Sequence, residues 1–223
     1  MWKILKQKEI IKKLGSPLIV KPAVSGGSLG VGVKNVVETE HELEIQLSKM
    51  FEGYRGWNLS SDGIVAESFV EGPEYTVMIV GSHTHPEYAK IYPPVERVFH
   101  ASLPEKEKFL SFDRLWEIYE EESPMPSEEN FYEYALGSDT TQMAIQKVAW
   151  DAYVAVGGTG YTRVDVRVDK HTGQAHVLEV NAQCGISEDE NFTSIGAILR
   201  YANQSFAELV IHIINDAFAR RKN

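Results

Sequence analysis

Two short segments, Tyr161–Val168 and Ala175–Asn181, read as strands joined by the turn Lys170-His171-Thr172-Gly173. Side chains alternate faces along a strand, so Arg163 and Asp165 point one way, as do Glu179 and Asn181. A turn centred near Thr172 sets Asp165 opposite Glu179 and Arg163 opposite Asn181, while Val164, Val166, Leu178 and Val180 fill the other face. Two carboxylates and an amide on one patch sit poorly together unless a cation joins them. An all-oxygen set of this kind suits Mg²⁺ or Mn²⁺, with room left for phosphate oxygens and water. An exposed face of mixed charge on an ordinary hairpin is the competing reading.

A second constraint is the glycine-rich stretch Ser25-Gly26-Gly27-Ser28-Leu29-Gly30-Val31-Gly32, between the strand Pro17–Pro22 and an expected strand Val33–Val37. Counted from Gly27, a Walker A loop would place Gly32 correctly, but Val33 stands where lysine is required. A dinucleotide fingerprint needs a helix after the loop, and here a strand follows. What remains is a strand–loop–strand flap whose backbone N–H groups can cradle phosphate, with Lys21 beside it to neutralise charge. A flexible hairpin loop is the alternative.

Around these features the pattern predicts helices over 3–14, 39–50 (Thr39 as N-cap), 140–156 and 205–220, the last opened by a Ser205/Glu208 capping box. The helix at 140–156 has the face Ile145, Val148, Ala149, Ala152 and Val156; the last has Phe206, Leu209, Val210, Ile213, Ile214 and Ala217. Strands are expected over 63–70 and 74–81, the second with Tyr75, Val77 and Ile79 alternating. From 92 to 141 prolines and glutamates weaken the pattern, and a long solvated insertion with one helix near 111–122 is expected.

The chain has 223 residues with 22 basic against 32 acidic, a net charge of -10, which argues against a nucleic-acid or anionic-membrane partner. Its single cysteine, Cys184, excludes an intrachain disulfide and a cysteine-based zinc site. No apolar run has the ~18 residues of a membrane span. Lysines interrupt the N-terminal apolar residues, unlike a secretory signal, so a cytoplasmic location is expected.

Four blocks together carry a family resemblance. The run Pro17-Leu18-Ile19-Val20-Lys21-Pro22 with Gly26-Gly27-Ser28-Leu29-Gly30-Val31 resembles the nucleotide-binding strand and flap of ATP-grasp ligases, most closely the D-alanine–D-alanine ligase group. Glu67-Ser68-Phe69-Val70-Glu71-Gly72-Pro73-Glu74 resembles their hinge segment, and Arg163-Val164-Asp165 with Glu179-Val180-Asn181 their metal strands. The resemblance implies an α+β ATP-grasp fold of two subdomains built on antiparallel sheets with flanking helices. A flap subdomain is expected over 1–82 and a C-terminal subdomain over 83–223.

It implies ATP and Mg²⁺ (or Mn²⁺) as cofactors. Lys21, Gly27, Ser28, Glu67, Val70 and Glu74 would bind ATP, and Asp165, Glu179 and Asn181 the metal. Arg163 would stabilise the transferring phosphoryl group, and the N–H of Gly185 would serve as an oxyanion donor. The implied reaction joins a small carboxylate to an amine, amino-acid- or dipeptide-like, through an acyl phosphate. The alternative is a non-catalytic or split-subunit ATP-binding module that needs a separate N-terminal partner.

Several positions depart from the family. The family's first-substrate domain would precede residue 15, so an N-terminal partner domain or a homodimer is expected. A lid loop is expected over Phe131–Gly137, with Tyr132 and Tyr134 in it but without the family's lysine. Gly27-Ser28 replaces a serine pair, Cys184 stands in place of proline, and Thr193 aligns loosely with a substrate-binding serine. A loop follows at Ser187–Asn191. Outside these blocks, His83 and His85 lack a third metal ligand and Cys184 lacks a base, while Trp116, Tyr119 and Trp150 read as core or partly buried.

Overall fold

A computed structural model of the chain describes residues 7–116, 122–126, 129–182, 184–189 and 193–221. Contacts group them into two units: residues up to Phe69 with those from Ala101 to Glu129, and Val70–His100 with those from Asn130 onward. The division therefore falls at Phe69/Val70 rather than after residue 82, because the strand that starts at Glu74 pairs only within the second unit.

In the first unit α1 (Gln7–Leu14) precedes β1 (Leu18–Pro22), β2 (Val36–Val37), α2 (Glu40–Glu52) and β3 (Ile64–Ser68). The sheet order is β2-β1-β3, all antiparallel, with Leu18 opposite both Val37 and Ser68. Leu18, Val20, Val37, Leu43 and Met50 form its core, with Ile10, Ile11 and Leu14 of α1 against it. The hydroxyl of Thr39 accepts from the N–H of Glu42, whose carboxylate accepts from the N–H groups of Glu38 and Thr39, so the expected cap is made. The expected strand Val33–Val37 is instead a helical turn, Val33–Asn35, followed by the two residues of β2. The Asn35 side chain bonds to the backbone of its own turn, which competes with a sheet ladder.

The insertion expected over 92–141 is not uniformly solvated: strands at Val95–Phe99 and Tyr132–Leu136 take its ends, and the described residues between them are partly buried. They carry the four-residue helix α3 (Phe112–Leu115), while 117–121, with Tyr119 and part of the helix expected near 111–122, lie outside the described residues. Arg114 is buried and pairs with Glu107 (3.2 Å) and Glu122, and Glu107 accepts from the N–H and hydroxyl of Ser123. Two glutamates of the acidic run thus serve an internal ion cluster. Trp116, expected to be packed, is 59% exposed.

The second unit holds β4 (Glu74–Val80), β5 (Lys90–Ile91), β6 (Val95–Phe99), β7 (Tyr132–Leu136), α4 (Asp139–Ala155), β8 (Tyr161–Val168), β9 (Ala175–Ala182), α5 (Ser194–Tyr201) and α6 (Phe206–Arg221). The sheet order is β7-β6-β4-β8-β9, with β5 also on β4 and every pairing antiparallel. The expected lid over Phe131–Gly137 is therefore an edge strand, with Tyr134 buried. All seven residues of β4 are buried, so Tyr75, Val77 and Ile79 do not alternate with exposed positions. Tyr75, Val77, Ile79, Val164 and Val166 pack on Ile145, Ala149 and Tyr153 of α4. Met78, Val80 and Val95, on the opposite face, pack with Ile195, Ile198 and Leu199 of α5 and Leu209 of α6.

Helix α5 escapes sequence reading because residues Ser194–Leu199 are all buried, which leaves no amphipathic stripe. The faces expected for α4 and α6 need correction: Val156, Ile214 and Ala217 are exposed, while Tyr153 points inward and donates to the carbonyl of Gly81 (2.9 Å).

One end of the second face of β4 is polar. Glu74 lies opposite Arg97 of β6 and Arg167 of β8, and its carboxylate takes a hydrogen bond from each, that from Arg167 at 3.2 Å. All three are almost fully buried, and Arg97 also lies over the rings of Tyr132 and Tyr134. Truncating one partner of a buried ionic group strands the others without water. Glu74→Ala is expected to lower unfolding free energy in urea by about 3–5 kcal/mol, and Glu87→Ala, at an exposed surface pair, by less than about 0.5 kcal/mol.

Candidate functional site

In the second unit the β8–β9 ladder sets Arg163 opposite Asn181 and Asp165 opposite Glu179, the expected register. Beyond Asp165 a bulge intervenes: Val166 pairs with Val177, and Leu178, expected inside, is 42% exposed. The irregularity lies beside the four polar residues and leaves their shared face intact.

Arg163 donates from Nε to Asp165 Oδ1 (3.0 Å) and from Nη2 to Oδ2 (2.9 Å), and stands 3.9 Å from Glu179 Oε1. The amide of Asn181 donates to both Asp165 Oδ2 (3.0 Å) and Glu179 Oε1 (2.9 Å), joining all three side chains. Burial pushes the Asp165 carboxyl up, but Arg163, with help from Arg97 and Thr76, holds Asp165 below the usual carboxylate range. Burial raises the Glu179 carboxyl; Asn181 opposes the rise and the negative charge of Asp165 adds to it. Two crowded carboxylates and an amide that can turn its oxygen inward form a hard donor set that fits Mg²⁺ or Mn²⁺.

Glu74, expected on the nucleotide, has both oxygens engaged by Arg97 and Arg167, and the carbonyl of Val70 accepts from Arg167 (3.3 Å). Gly185 is exposed, with open space where a Cβ would lie. Cys184 is buried and its thiol is pushed up by that burial, which suits a packing role. Thr193 caps α5 through the N–H of Gly196, and Asn191 lies outside the described residues. His83 sits 3.0 Å from the carbonyl of Gly158 and His85 3.5 Å from Glu87, so each has a local structural partner.

In the first unit Lys21 Nζ lies 2.7 Å from Glu67, so these two expected ligands occupy one patch. The tip of the glycine loop is tight: Gly27 and Ser28 both have φ +59. Ser28 donates to the carbonyl of Leu110 (3.2 Å), the Trp116 indole to that of Gly27 (3.3 Å), and the N–H of Phe112 to that of Val31 (2.8 Å). Gly30 must be glycine, since at φ +78 a Cβ would meet Pro22 at 2.8 Å.

Sequence reasoning missed Asn35, Arg97 and Arg167. Asn35 is buried; its amide donates to the carbonyls of Val20 (2.6 Å) and Gly30 (2.7 Å) and accepts from the N–H of Gly32 (2.9 Å). It ties the exit of the glycine loop to β1 beside Lys21. An asparagine three residues past a glycine run was the one available signal.

The paired sheets resemble those of solved ATP-grasp enzymes. The D-alanine–D-alanine ligase of Bacillus anthracis solved with ATP matches with a TM-score of 0.65 and 21% identity, over 100% of this chain and 58% of that one. The VanG D-Ala:D-Ser ligase of Enterococcus faecalis matches with a TM-score of 0.65 and 18% identity, over 94% and 52%. The fold is therefore ATP-grasp. Over residues 2–215 the chain belongs to the family described as D-ala D-ala ligase C-terminus. D-alanine–D-alanine ligases of Marinobacter nauticus and Borrelia garinii subsp. bavariensis are 28% and 26% identical over 94% and 95% of this chain. The chain spans about half the length of these curated relatives, 54% and 51%.

Two outcomes test the geometry. Asn35→Ala leaves three backbone groups without their partner and is expected to cost about 2–3 kcal/mol in urea unfolding, with hydrogen exchange at Gly30–Gly32 at least about tenfold faster. The depressed Asp165 acid contributes stability that is complete above about pH 3.9, its unfolded value. That stability is lost as pH falls through the lower folded value. Unfolding curves across acid pH are expected to show this loss in the wild type and a smaller one in Asp165→Asn.

Proposed function

We propose that this chain is the catalytic C-terminal part of an ATP- and Mg²⁺-dependent ligase that joins a small carboxylate to an amine, of the D-alanine–D-alanine ligase type, acting in the cytoplasm. The observation that carries it is the register that gathers Arg163, Asp165, Glu179 and Asn181 on one face of β8 and β9. Family membership supports the same reading.

In the first unit Lys21 carries the positive charge for phosphate, the N–H groups around Gly27 and the hydroxyl of Ser28 line the loop that would cover it, and Glu67 orients Lys21. In the second unit the backbone of Val70 would meet the base. Glu74, expected on the nucleotide, is buried with both oxygens held by Arg97 and Arg167, and would serve the site by anchoring β4. Asp165, Glu179 and Asn181 would hold Mg²⁺, which when bound neutralises charge developing on the phosphates. Burial works against the charge on Arg163, but the charge and hydrogen bonds of Asp165 together keep it protonated, and it would stabilise the transferring phosphoryl group. The N–H of Gly185, on an exposed loop, would donate to the oxyanion formed when the amine attacks the acyl phosphate.

D-Alanine is the first substrate to assay, as acyl donor and as amine, with D-serine as the alternative amine. A partner domain, or a second copy of the chain, would supply first-substrate contacts. Calorimetric titration of a non-hydrolysable ATP analogue tests the nucleotide site. Binding is expected to require Mg²⁺ and to weaken at least about tenfold, roughly 1.4 kcal/mol, in Asp165→Asn. Equal affinity with and without Mg²⁺, or in both proteins, would overturn the metal assignment.

A further inference from the structure

The first unit contains a cavity of about 260 Å³ that the ligase reading does not use. One wall is the backbone of Gly30–Gly32, another the inward face of α2, and a third Phe112 and Asp113. An apolar cavity of about 150 Å³ already accepts a benzene-sized molecule, so this one admits a ring with a substituent.

Its chemistry is selective. Met50, Leu59 and Phe112 supply apolar surface, and Gln46 supplies an amide. Gln46 sits one turn from Leu43 and Met50 on the buried face of α2, is 8% exposed, and has no hydrogen-bond partner among the described residues. An amide offers two donors and an acceptor, and in Gln46 these are left to the cavity that its side chain lines. The neighbouring polar groups have other partners: Asn35 is bonded to Val20, Gly30 and Gly32, and the Tyr54 hydroxyl donates to Asp113 (2.8 Å). The charged residues of the lining are mixed, Lys34 and Lys49 against Glu52 and Asp113, so they favour no net charge on a ligand.

We infer that this cavity is a binding site for a small neutral molecule that carries a carboxamide-like edge on a flat apolar body. The edge pairs with the Gln46 amide, donor to acceptor and acceptor to donor, and the body lies against Met50, Leu59 and Phe112. The wall formed by Gly30–Gly32 belongs to the glycine loop, so the occupant stiffens that loop from the side bordered by α2.

Benzamide and benzoate form a matched pair of probes, equal in shape but differing in charge and donors. Titrated into the whole chain by ligand-observed NMR without nucleotide, benzamide is expected to bind saturably and benzoate at least about tenfold more weakly. Gln46→Leu, which suits the apolar face of α2, is expected to keep its thermal melting and to lose at least about tenfold in benzamide affinity. In the wild type benzamide is expected to slow hydrogen exchange across residues 26–32 at least about threefold. Absence of saturable benzamide binding, equal binding by Gln46→Leu, or unchanged exchange would each overturn the proposal. Should Gln46→Leu fail to melt cooperatively, Gln46→Glu, which loses the donors but keeps the size, gives the same comparison. No nucleotide is present, so the outcome is separate from that of the ATP titration.

Discussion

The carboxylate of Glu74 fixes three strands at once. It sits on β4 and receives Arg97 from β6 and Arg167 from β8, all out of water. A slip of one residue in either pairing would turn a guanidinium to the opposite face, toward the largely apolar cluster on α4 and away from the Glu74 carboxylate. The ion triad therefore specifies register as much as it adds stability, a known use of buried charge. Asp165 lies two residues from Arg167 on the same face, and Arg163 two further on, so their placement follows from that lock.

The face that carries these groups changes character along its length. Near Glu74 and Asp165 it is ionic; near Met78 and Val80 it is covered by α5 and α6. The reverse face is largely apolar where it packs on α4, with the Tyr75 hydroxyl donating to Glu96 toward one end. The sheet thus combines an apolar back with a front that is half core and half charged. Within the front, Arg163 already provides a positive charge to the carboxylates, and its partial burial weakens solvent screening of the pair with Asp165.

What the sequence disclosed was mostly local and periodic. The β8–β9 register follows from one short turn, and the caps at Thr39 and Ser205 follow from residues three apart. The features that escaped depend on distant partners. Asn35 looks like an ordinary turn residue until the carbonyl of Val20 is beside it. The glutamates at 107 and 122 look solvated until Arg114 is placed between them. Leu178 carries no mark of the bulge, and α5 has no polar stripe to reveal a helix. The segment read as a lid forms β7 because Tyr134 meets Arg97, a contact across 37 residues that no short window contains.

The route of the chain through residues 101–129 bears on the order of assembly. The first unit is interrupted: its chain leaves at Phe69, builds β4, β5 and β6 elsewhere, and returns at Ala101. The glycine loop is made early on the ribosome, yet the groups that close on it, Leu110, Phe112 and Trp116, emerge some eighty residues later. Domains that fold as they are synthesised do so once their own residues are available. This unit must wait for part of its neighbour to be translated first. A fragment ending at Phe69 would hold the loop sequence without the hydrogen bonds that shape it, so the loop is a late product of an early segment.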